Sequence, residues 1–211
     1  MDIHKPGPMH SLKDFLKEIA TITLGILIAL GLEAGVEAYR NHETVEHARA
    51  SLRDELQHNR ASLADAVASA RSSEPAVKAL ADYLQTRLTG QAGTPPRGMQ
   101  LNASFTQLNT SGWEGVTATQ ALTHMPLEEA QALARVYAQT RAFNELEAKA
   151  ESHWFDLAAL PADDPSAPRP REELVQEAAS VKLSLAYQKA IAEGGPSVLA
   201  GYDRALKVLG R

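Results

Sequence analysis

The sequence predicts an all-α protein: an N-terminal transmembrane helix that continues into a long amphipathic helix, followed by a small helical bundle. Three observations carry this. Ile19 to Leu32 is an uncharged, apolar run without a proline. Beyond Arg40, apolar residues recur at three- and four-residue steps, the period of a helix with one buried face. Nothing alternates at period two over a useful length, so no sheet is expected.

The apolar run is the element from which the rest is organised. A bilayer core of about 30 Å needs roughly 20 mostly apolar helical residues. The uncharged run alone is about 14 residues, a length that also suits the buried helix of a soluble bundle. Extended from Phe15 to Val36 it reaches roughly 33 Å at 1.5 Å per residue. The extension admits Lys17, Glu18 and Glu33, all near its ends, where a lysine can reach the headgroups beside an acidic partner. Tyr39 suits an interfacial belt. A soluble helix would show a polar stripe, yet Ile19, Ile22, Thr23, Ile26, Leu27 and Leu30 occupy the side where it would lie. Thr21, Gly25 and Ala29, then Gly31 and Gly35, place small residues at helical spacing. Glycine costs a soluble helix about 1 kcal/mol against alanine, whereas in membranes it lets helices approach. These five residues are the expected helix-packing positions.

Lys5, Lys13 and Lys17 precede the span, and Arg40 and Arg49 are the nearest positive charges after it. That excess puts the amino end in the cytoplasm. No A-x-A-like cleavage site follows the run, which argues against a removable signal peptide. The expected location is a bacterial inner membrane, crossed once, with the helical domain in the periplasm. Cysteine is absent, so thiols do not report the compartment.

The chain then divides into an N-terminal cytoplasmic segment (1–10), a transmembrane helix (11–39) and a helical domain (40–211). In the opening HKPGPMH, two prolines disfavour helix; His4, Lys5 and His10 stand there as possible contacts to headgroups or a partner. Ser11 is a plausible N-cap, with Asp14 at the third helical position. The first helix is expected to continue to about Ala70. Val45, Ala48, Leu52, Leu56, Asn59, Leu63, Ala66 and Ala70 mark its buried face, and Glu46, Arg53, Glu55 and Arg60 its solvent face. Asn59 falls inside the apolar row, as a register-fixing polar residue can.

Pro75 and Gly90 frame a second helix, packed through Val77, Leu80, Ala81, Leu84 and Leu88. Gln91 to Leu101 reads as a loop. Phe105, Leu108 and Trp113 lie in a stretch of one or two short helices, with another from Thr117 to Thr123. Pro126 opens the third long helix, with Glu128 and Glu129 in its first turn. Its buried side is Leu133, Val136, Tyr137, Phe143, Leu146, Ala150, Trp154 and Leu157. A proline-rich link (161–170) follows. Two helices close the chain, Glu172 to Ala192 and Pro196 to Leu209, separated by Gly194–Gly195.

Candidate chemistry is sparse. HETVEH places His42 and His47 five apart, about 140° round a helix, so it is not the zinc-binding H-E-x-x-H. Glu55 and His58 form one E-x-x-H, whereas di-iron bundles need two with two further glutamates. No cysteine, nucleophile elbow or phosphate loop is present. No catalytic residue, metal ligand or cofactor is therefore expected. Trp113 with Glu114 and Tyr137 could line a ligand pocket, although a core tryptophan is the commoner case. A net charge of −5 argues against nucleic acid as a partner.

DIHKPGPMHSLKDFLKEI, GILIALGLE and ARASLRDEL, with SGWEGVTATQALTHMP and the Tyr137–Phe143 spacing further on, resemble an uncharacterised bacterial family of single-span membrane proteins. Its members open with an H-K-P-x-P-x-H segment and carry a helical domain after the span. The resemblance implies the anchor and transfers no site. The expected function is a membrane-anchored, non-catalytic accessory or scaffold subunit of an inner-membrane assembly. Its partners would be the lipid bilayer and an integral membrane complex, or a second copy of itself. The alternative is a periplasmic helical sensor or ligand-binding domain on a membrane anchor.

Overall fold

A computed structural model describes residues 12–91, 93, 94, 96, 105–158 and 170–210, with side chains at all of these but 156–158. The fold is all-α: α1 (Leu12–Leu88), α2 (Ser111–Ala118), a 3₁₀ turn (Ala121–His124), α3 (Leu127–Ala158) and α4 (Arg171–Leu209). The chain divides between His47 and Ala48 into two compact units. Ser11, and with it the expected N-cap, lies outside the described residues, as do His4, Lys5 and His10.

In the second unit, cross-helix contacts set the directions. Arg53 donates to Leu209 O, Arg60 pairs with Asp203 at 2.6 Å, Arg71 donates to Ala192 O and Lys182 to Gln85. Rising numbers on α1 meet falling numbers on α4, so these helices are antiparallel. Arg49 grips Glu129 with two hydrogen bonds of 2.9 Å, and Glu55 meets Tyr137 further along, so α3 runs parallel to α1. Residues 105–110 run back along the bundle between those two helices.

The apolar row read from the sequence is the core seam. Val45, Ala48, Leu52, Leu56, Leu63, Ala66 and Ala70 are buried, and so is Asn59. Val77, Ala81 and Leu84 extend it into a cluster with Leu174, Ala178 and Val181 of α4. On α3, Leu133, Val136, Tyr137, Phe143 and Ala150 are buried as expected, while Leu146 and Trp154 are half-buried.

Three expectations are corrected. The first two helices are one, with Pro75 inside it. Proline removes one bond to the carbonyl four residues back, here Arg71; both residues face solvent, where water can serve that carbonyl. The last two helices are also one, with Pro196 inside α4. The carbonyl freed there is that of Ala192, and it accepts a hydrogen bond from the Arg71 guanidinium at 3.3 Å. The Gly194–Gly195 pair is thus not a break, and Gly195 allows close packing, because a Cβ on it would collide with Cγ2 of Val67. The helix expected from Thr117 to Thr123 is divided: α2 ends at Ala118, Gln120 takes a left-handed φ of 58°, and the 3₁₀ turn follows.

The two adjacent glycines test this. Gly195→Ala drives a methyl into Val67 and is expected to cost about 1–3 kcal/mol. Gly194→Ala meets open space and should gain up to about 1 kcal/mol in helix propensity. Thermal unfolding of the two variants side by side checks the opposite signs; equal effects would contradict the close approach.

Candidate functional site

The first unit presents an apolar surface. Ile26, Leu27 and Ile28 are consecutive, so they point about 100° apart, and they are 55%, 60% and 56% exposed. Among the described residues, no side of the helix is covered here. The same holds from Leu12 and Leu16 through Ile22, Leu24 and Leu30 to Leu32 and Val36. An 18-residue window of α1 has a mean hydropathy of 2.0 with none of it buried, so this helix is long and apolar enough to cross a membrane. Thr21, a polar residue of the run, donates its hydroxyl to Lys17 O at 2.9 Å, which satisfies it within the helix.

Thr21, Gly25, Ala29, Gly31 and Gly35 fall within an arc of about 160° at 100° per residue. Leu24, Ile28 and Leu32 share that arc. A Cβ built on Gly25, Gly31 or Gly35 meets nothing within 4 Å. This side therefore offers shallow hollows between large apolar knobs.

The second unit concentrates its polar groups where the returning segment passes between α1 and α3. Asn59 of α1 donates to Asn109 O at 2.7 Å and accepts from Asn109 N–H at 2.7 Å. Asn144 of α3 does the same to Leu108, donating to its carbonyl at 2.8 Å and accepting from its amide at 2.9 Å. Two side-chain amides thus replace the ladder that an extended segment lacks, one from each flank. Tyr202 of α4 joins them through Asn59 and through Thr140, whose Oγ1 lies 2.6 Å from its hydroxyl.

The segment leads directly into α2, whose leading amides all find acceptors. Asn109 Oδ1 takes the amide of Ser111, Thr110 O takes that of Glu114, and Glu55 takes those of Gly112 (2.7 Å) and Trp113 (3.3 Å). Glu55 also accepts from the Tyr137 hydroxyl at 2.6 Å. A carboxylate suits this place because the leading amides of a helix carry partial positive charge. Burial, reinforced by Glu55, pushes the Tyr137 phenol well above its ordinary range, so it stays a donor. Gly112 suits the close approach: a Cβ there would stand 3.0 Å from Glu55 Oε2, and the carboxylate would have to shift by a few tenths of an ångström.

Glu55 therefore does not lie on the solvent face expected of it; it is 9% exposed. Its E-x-x-H partner His58 points outward. Trp113 stacks on Tyr137 with centroids 4.8 Å apart and planes 16° from parallel. Glu114, paired with Trp113 in the sequence, is exposed and bonds Thr110 at 2.8 Å. The acid that faces the aromatic pair comes from α1. His42 and His47 are exposed, His47 lying 3.8 Å from Glu43. Among the described residues no group of three or more His, Cys, Asp or Glu is placed to hold a metal ion.

The chain matches no protein-family model, no curated protein and no solved structure. The site residues above thus stand on their own geometry.

Removing the Glu55 carboxylate strands two amides and a buried phenol. Glu55→Ala is expected to cost about 3 kcal/mol or more, since each orphaned group costs about 1–3 kcal/mol. Glu114→Ala, on the exposed neighbour, should stay within about 0.5 kcal/mol. Denaturant unfolding measures both, and comparable losses would contradict the central role of Glu55.

Proposed function

We propose that the protein is a membrane-anchored, non-catalytic accessory or scaffold subunit of a bacterial inner-membrane assembly. The observation that supports this best is the uncovered apolar surface of α1 from Leu12 to Val36, with small residues gathered on one side. A lone anchor needs only grease. A helix that also clears its backbone at Gly25, Gly31 and Gly35 is suited to close packing against another helix in lipid, where small residues are the usual contact. The partner is an integral membrane complex or a second copy of the chain. Lys5, Lys13 and Lys17 ahead of the span, against Arg40 and Arg49 behind it, support an amino end in the cytoplasm and a helical domain in the periplasm. His4, Lys5 and His10 would then lie near headgroups or the partner's cytoplasmic face.

The polar groups at Glu55, Asn59 and Asn144 support a structural role. Each is used on backbone groups of residues 108–113, so they brace the bundle.

Purification of the full chain in mild detergent, by size and by co-purifying protein, tests the reading. The expected result is a complex of defined stoichiometry that Gly31→Leu with Gly35→Leu disperses, while Leu30→Ala on the opposite side leaves it intact. A monomer without companions, or a complex indifferent to the glycine substitutions, would contradict it.

A further inference from the structure

Between α1, α3 and α4, away from the Glu55 centre, lies a hollow of about 30 Å³. That is room for about two water-sized groups. Glu147 of α3 and Ser184 of α4 line it, 2% and 5% exposed. Among the described residues, Glu147 Oε2 and Ser184 Oγ are the buried side-chain atoms that meet no hydrogen-bond partner. Both orphans border the same space. Gln188, 8% exposed, adds a carbonyl oxygen that accepts from Ser73 at 3.2 Å. A buried polar atom without a partner costs about 1–3 kcal/mol, and two facing one hollow point to something that enters it.

The chemistry of the lining narrows what that is. It contains one acid and no Lys, Arg or His. Its polar atoms can accept: a carboxylate oxygen, serine hydroxyls and an amide oxygen. The remaining wall is alanine and isoleucine with Phe105, Trp154 and Tyr187; Phe105 and Trp154 meet edge to face at 6.3 Å. Aromatic faces attract cations. An anion would meet the carboxylate and no positive charge, and a neutral apolar group would leave both orphans unmet.

We infer that this hollow is a binding site for a small protonated amine, with Glu147 Oε2 and Ser184 Oγ accepting its N–H groups and the aromatic residues closing round its carbon end. The inference stands independently of the scaffold reading, because it concerns the interior of the second unit alone. It supplies a ligand for the sensing role that the sequence allowed, at a different place from the Trp113–Tyr137 pair.

Charge explains why the site would respond to its ligand. Burial raises the Glu147 carboxyl to about 7, helped by Glu151 on the same helix and opposed by the Thr106 amide. Tyr187 of α4 is the other titratable residue in the lining, and α1 contributes none. Below about pH 7 the amine must displace a proton, so its affinity should fall about tenfold per pH unit on the acid side and level off above.

The test uses the full chain in detergent with methylammonium chloride as probe. Thermal unfolding and calorimetric titration are compared with sodium chloride and tetramethylammonium chloride at equal ionic strength. The expected result is saturable stabilisation by methylammonium alone, weakening as pH falls below about 7. Glu147→Gln should reduce affinity at least about tenfold, and Ser184→Val, which fills the hollow and keeps the carboxyl, should abolish binding. Should either variant fail to fold, the pH dependence and the tetramethylammonium comparison in the natural chain still decide. Equal effects of methylammonium and sodium, as expected if the hollow takes water only, would overturn the proposal. So would saturable binding that Glu147→Gln leaves unchanged, or that does not vary with pH.

Discussion

Between Leu12 and Val36, large apolar side chains point to every side of a single helix, and they stand 40–76% exposed among the described residues. Left in water, each would forgo about 1.5–3 kcal/mol of burial. Together they amount to more than the whole stability of an ordinary domain, about 5–15 kcal/mol. A segment of this length and apolarity is suited to crossing a membrane. In such a setting a helix satisfies its own backbone, and Thr21 bonds its hydroxyl to the Lys17 carbonyl in the same way.

The second unit answers the opposite problem. Its returning segment carries backbone polar groups into a helical interior, where no strand is present to pair with them. Asn59 and Asn144 meet Leu108 and Asn109 from two helices, and Glu55 meets the start of α2. These bonds connect α1, the segment and α3 in one network, which Thr140 and Tyr202 extend to α4. Such a network gives the bundle one register. A helix pair sliding by a turn would strand several buried groups at once, at about 1–3 kcal/mol each. The same logic singles out Glu147 Oε2 and Ser184 Oγ, buried atoms that meet no hydrogen-bond partner among the described residues.

Much of this was legible in the residues. The seam from Val45 to Ala70 follows from helical period alone, and Asn59 stood out as a polar member of it. Asn144 carries the same signal, seven residues after Tyr137 on the same face and next to the buried Phe143. Glu55 was misplaced for a physical reason. Carboxylates on long helices usually face water, and the amides that draw this one inward lie 57 and 58 residues away. Local signals also misread the ends of helices. Pro75 sits where solvent tolerates its missing bond, and Pro196 sits where Arg71 replaces the donor. Neither compensation is visible without the neighbouring helix. The all-α class survived these errors because it rests on period, which the prolines do not alter.

Sedimentation of membranes from bacterial cells making the full chain tests the central claim most directly. Membranes are washed with high salt and then with alkaline carbonate before detergent is added. The account predicts that the chain sediments through both washes and is released only by detergent. Replacing Ile22, Ile26 and Leu30 with lysine should move it to the supernatant. Recovery of the unaltered chain as a folded protein in the detergent-free supernatant would contradict the account.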